Sequence, residues 1–72
     1  MQVLASLSKT TDGRESTWDF CESRGKYFAL RVLPVVKVVP CKDRKDLQAL
    51  YKTYLTPKYG FKKPVVTPDP WA

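Results

Sequence analysis

Apolar side chains recur at alternate positions through "VLASL", "TWDFCE" and "YFALRV", the period of a strand with one face on a core. Asp12-Gly13 separates the first two runs, and a two-residue type I′ turn needs the positive φ that Asp and Gly tolerate. A hairpin centred there pairs Leu7 with Trp18, Ala5 with Phe20 and Val3 with Glu22. The next turn lies in "ESRGKY". A three-residue loop, Arg24-Gly25-Lys26, sets Trp18 opposite Val32, Phe20 opposite Leu30 and Glu22 opposite Phe28, whereas a two-residue loop sets Trp18 opposite Arg31 and mixes the faces. The longer loop is therefore expected. It places Asp19 opposite Arg31 and makes Val3, Ala5, Leu7, Trp18, Phe20, Phe28, Leu30 and Val32 the inner face.

Pro34 has no N–H to give a ladder, so the third strand should bend there before Val35 to Val39 forms a fourth, ended by Pro40. The period then changes. Leu47, Leu50, Tyr51, Tyr54 and Leu55 fall at i, i+3, i+4, i+7 and i+8, the stripe of an amphipathic helix. Asp43 is placed to cap it, Asp46 to favour its positive end, and Pro57 to stop it after Leu55 or Thr56. Beyond Gly60, the run Phe61 to Val66 offers an edge strand, and "TPDPWA" reads as an extended tail. The expected architecture is α+β. One domain, residues 1–66, is an antiparallel meander of three or four strands with the helix packed on one face, and residues 67–72 are the tail.

The chemistry for catalysis is sparse. The 72 residues include no histidine, glycine-rich phosphate loop, nucleophile elbow or CxxC, and Asp43 and Asp46 are better explained as capping groups than as paired catalytic carboxylates. A non-enzymatic protein without cofactor is expected. Two cysteines, Cys21 and Cys41, without histidine do not complete a zinc site, and reduced thiols are expected of them. No apolar run is long enough to span a bilayer, and the opening MQVLASLSK lacks a signal peptide's pattern, so the expected location is the cytoplasm.

Charge changes the picture most. Residues 1–23 carry two cations against four acids, whereas residues 24–63 carry eleven Lys or Arg against Asp43 and Asp46. Lys42, Arg44 and Lys45 crowd the start of the helix, where cations oppose the macrodipole, so helix propensity does not account for them. Lys52 lies seven residues beyond Lys45 on a similar side of the helix. Lys58, Lys62 and Lys63 extend the patch, and Arg24 and Lys26 occupy a hairpin tip. Such a surface suits an acidic protein face or nucleic acid, while a solvated helix face is the bland alternative. Tyr59 and Trp71 are candidate aromatic anchors. Trp71 either folds back over an apolar patch or engages a partner.

From Val3 to Val66 the order of strands, the helix "DLQALYKTYL" and the return "YGFKKPVV" resemble, in size and layout, small phage-encoded proteins that bind host bacterial RNA polymerase. The marked positive charge departs from acidic members of that group. The resemblance implies a regulator that docks on the polymerase and modulates or inhibits transcription in a host cytoplasm. A small basic protein binding DNA or RNA directly, or a structural or decoration subunit, are the alternatives.

Overall fold

The computed structural model describes residues 1–62 and residue 71. Four strands form one open antiparallel sheet in the order β1-β2-β3-β4: β1 Gln2–Thr11, β2 Arg14–Ser23, β3 Lys26–Leu33 and β4 Lys37–Cys41. A single helix, α1 Arg44–Tyr54, lies on one face. The small α+β meander expected from periodicity is the architecture observed.

Asp12 and Gly13 close the first hairpin with φ of 51° and 75°, the left-handed pair that a type I′ turn requires. Leu7 opposite Trp18 and Ala5 opposite Phe20 follow as expected. Val3 does not sit opposite Glu22. A bulge between Val3 and Ala5 brings Val3 opposite Cys21 and Gln2 opposite Glu22, and Leu4 packs toward the core instead.

The second hairpin departs further from expectation. Arg24 and Gly25 form a two-residue turn, with φ of 53° and 77°, and Ser23 pairs with Lys26. The register is thus Phe20 opposite Ala29, Cys21 opposite Phe28, Asp19 opposite Leu30 and Trp18 opposite Arg31. Volume explains why this slip wins. The helix lowers Tyr51 and Tyr54 onto Phe20 and Trp18, with Phe20–Tyr51 centroids 5.2 Å apart and Trp18–Tyr54 centroids 4.9 Å apart. Phe28 and Leu30 would overfill that space, whereas fully buried Ala29 fits beneath the rings. Arg31 is tolerated on the inner face because it stretches along the sheet end, its guanidinium 5.9 Å from the Trp18 ring and its Nε donating to the Val35 carbonyl at 2.8 Å.

One residue of slip turns all of β3 over. Phe28 and Leu30 point away from the helix, and Val3 and Val32 are exposed, so none of these four joins the inner core. The core is Leu7, Trp18, Phe20, Ala29, Leu47, Tyr51, Tyr54 and Phe61. Asp19 accepts a hydrogen bond from the Ser6 hydroxyl at 2.8 Å in place of a cross-strand pair with Arg31.

β3 stops at Leu33, and the chain bends through a cis Leu33-Pro34 bond before β4. β4 starts at Lys37 and continues past Pro40, where it had been expected to end. Pro40 lies on an edge strand, the setting in which a sheet ordinarily tolerates a residue without an N–H. The helix is capped as expected: Asp43 Oδ1 accepts from the Asp46 amide at 2.9 Å, and Asp46 Oδ2 reaches back to the Lys42 amide at 3.1 Å. Asp43→Ala is expected to lower stability by about 1 kcal/mol, read as a lower urea midpoint at unchanged m-value; an unchanged midpoint would mean the cap is idle.

After the helix, Lys9 staples the chain. Its Nζ donates to the Tyr59 carbonyl and lies 4.6 Å from the centre of the Phe61 ring. Phe61 is buried and Lys62 exposed, and neither is in a strand; the rest of the expected edge strand, 63–66, and the tail apart from Trp71 lie outside the described residues.

Candidate functional site

The candidate basic patch divides along the long direction of the sheet. The pairing of Tyr27 with Cys41 puts Lys26 and Lys42 side by side at one sheet end. Arg24 is in the turn immediately before Lys26, and the helix starts from the same end at Arg44 and Lys45. All five cations are exposed, and among the described residues none is in an ion pair. The hairpin tip therefore belongs with the helix start, which sequence spacing alone left open.

The acids of that end are engaged locally. Asp43 and Asp46 accept backbone amides, and Glu22 accepts the Tyr27 hydroxyl, the principal reason the Tyr27 phenol is raised above its ordinary value. Arg44 acts in the opposite sense on the same phenol, which marks the proximity of the helix start to β3. The helix's positive N-terminal dipole adds to the five cations.

The remaining candidates are elsewhere. Lys52 is in the last turn of α1, about 12 Å along the axis from Arg44, where a cation complements the dipole. Lys58 lies 5.7 Å from the Tyr59 ring, and Lys62 follows Phe61, so both belong to the opposite sheet end with Lys9. Lys63 lies outside the described residues. Both aromatic candidates are in packing. Tyr59 meets Tyr54 at 5.0 Å, and Trp71 lies 5.4 Å from Tyr51 and 6.5 Å from Phe20, the fold-back arrangement of its two readings.

Among the described residues, two surface depressions stand out. One of about 260 Å³ lies between β4 and α1, its lining including Val39, Cys41, Asp46, Ala49, Leu50 and Thr53. Another of about 570 Å³ is lined by Lys9, Asp12, Arg14, Glu15 and Pro34 at the first hairpin. Among the described residues no group of three His, Cys, Asp or Glu is placed to hold a metal, and no helix is long and apolar enough to cross a membrane.

Both cysteines are free thiols, and burial raises each above the ordinary value of 9.0, with Asp19 reinforcing the effect at Cys21 and Asp46 at Cys41. A raised folded-state value favours the neutral thiol. The unfolded chain therefore loses these protons first, and stability is full below about pH 8.5 and declines as pH rises through the folded thiol values. Burial raises the Tyr54 phenol as well, extending the decline to higher pH. Denaturation midpoints measured from pH 7 to pH 11 should fall through this range, whereas the Cys21→Ser/Cys41→Ser pair should delay the onset. A flat profile in the parent chain would contradict it.

Sequence reasoning missed the outer sheet face. Strand alternation places Val3, Cys21, Phe28, Leu30, Val38 and Pro40 there, opposite the helix. Cys21 is fully buried yet lies outside the inner core, because Val3 and Phe28 flank it on the neighbouring strands. The signal was present in the rejected two-residue loop, because a register that sets Trp18 opposite Arg31 also sets Cys21 opposite Phe28. Compared with family models, curated proteins and solved structures, the chain matches none.

Proposed function

We propose that this is a non-enzymatic binding protein that docks through its basic end on an acidic protein surface in the cytoplasm. The observation that carries the reading is the convergence of Arg24, Lys26, Lys42, Arg44 and Lys45 from three separate segments onto one sheet end. Three of these cations oppose the helix dipole, so local folding energetics do not select them there. Complementary fields speed encounter and fix orientation, which is what a small regulator on a large machine needs. The layout adds bacterial RNA polymerase as the named target, with modulation or inhibition of transcription as the outcome.

The test is affinity capture from bacterial lysate with and without nuclease. Retention of polymerase subunits after nuclease treatment supports the proposal. Capture lost on nuclease treatment, together with a steep logarithmic salt dependence of binding to purified DNA or RNA, replaces it with direct backbone binding. Retention of neither overturns both.

A further inference from the structure

We infer that the outer face of the sheet is the interface of a homodimer, in which two copies pack face to face with their helices outside. An antiparallel sheet that meets water on one face ordinarily alternates apolar-in and polar-out. Here the β3–β4 half breaks that rule. Phe28, Leu30, Val38 and Pro40 form neighbouring cross-strand pairs, Cys21 and Val3 continue them across β2 and β1, and Val38 is 55 % and Val3 46 % exposed. Ser6, Ser8, Thr17 and Asp19 surround this patch on the β1–β2 side, giving an apolar centre with a polar margin.

Charge selects a second copy as the occupant. The strand positions of the outer face carry the acids Asp19 and Glu15 and one cation, Lys26 at the start of β3, whereas Arg44, Lys45 and Lys52 belong to the helix on the other side of the sheet. Face-to-face packing thus keeps the helix-borne positive charge of each copy away from the interface despite a net charge of +6. Full overlap of apolar half on apolar half requires a twofold axis lying across the strands. That axis brings the Arg24–Lys26 turn of one copy beside the Asp12–Glu15 hairpin of the other, one strand aside, where Asp12 and Glu15 outnumber Arg14 at both margins.

The area is sufficient. Four strands of 10, 10, 8 and 5 residues spaced about 4.8 Å apart cover about 500 Å² per copy, and two such faces reach the roughly 1,000 Å² at which specific interfaces begin.

Sedimentation velocity of the full chain across a wide micromolar range tests this. The parent should shift from monomer to dimer, and Val38→Glu should raise the dissociation constant by at least about 100-fold, because each copy would bury an unpaired carboxylate. Val38 is exposed on an edge strand, so the monomer should keep its far-UV circular dichroism. Lys45→Glu, a change on the helix side of the sheet, should dimerise like the parent, separating this face from the helix-borne part of the basic end. A parent that stays monomeric at every concentration, including one that instead captures a different protein on this face, overturns the inference. So does a folded Val38→Glu variant that dimerises like the parent.

Discussion

Phe20→Ala is expected to cost about 3–5 kcal/mol and to lower the thermal midpoint by more than about 12 °C. Phe20 has no exposed surface and meets Tyr51, Tyr54 and Trp71 within 5.2 to 6.5 Å, so removing its ring leaves a cavity bounded by the sheet, the helix and Trp71. A domain of this size has on the order of 5–10 kcal/mol in total. The substitution therefore removes a large part of the native state's margin. Phe28→Ala is the informative companion. In the register expected from pattern alone, Phe28 shares the inner face with Phe20 and the two substitutions should cost alike. In the structure Phe28 is half-buried on the outer face, and at low protein concentration it should cost much less. Equal losses for the two variants would contradict the observed register.

The second large effect is on binding. Lys42→Glu/Arg44→Glu/Lys45→Glu turns three exposed cations into acids and brings the formal net charge from +6 to zero. Capture of an acidic partner should fall by at least about 100-fold, since like-charge juxtaposition across an interface costs several kcal/mol. Stability should hold or rise slightly, because acids in the first helical turn complement the dipole and the Asp43 cap is untouched. Loss of binding with an unchanged or higher melting temperature is a result that a purely structural role for these residues does not produce. Undiminished capture would transfer the proposed contact to another surface. Reversing Lys58 and Lys62 provides the control, because they belong to the far end of the sheet.

The two sets of cations show how the structure altered the candidate site. In sequence, Lys42 is 16 residues from Lys58 and 18 from Arg24, so separation along the chain does not decide which of them it joins. The ladder between Tyr27 and Cys41 decides it in favour of the hairpin tip. Cross-strand neighbours lie about 5 Å apart, whereas eleven residues of helix carry the chain about 16 Å away. Topology thus gathers residues from distant positions and separates neighbours along the chain. Tyr59 and Trp71 were legible as aromatic groups in need of a partner, but only packing revealed that their neighbours are Tyr54, Tyr51 and Phe20.

Local chemistry by itself determined the strands, the Asp12-Gly13 turn, the Asp43 cap and the helix stripe from Leu47 to Tyr54, because each is written in a period or a φ requirement spanning a few residues. The facing of β3 was a different kind of question. Alternation offers two registers that differ by one residue, and turn geometry left both open: Arg24-Gly25 closes the observed one, with a bulge between Thr17 and Trp18 absorbing the offset. What decided was the volume beneath the helix, where Tyr51 and Tyr54 leave room for Ala29 and not for Phe28 or Leu30. That is a three-dimensional constraint between segments some twenty residues apart. Its consequence is the apolar outer face, which no single strand announces.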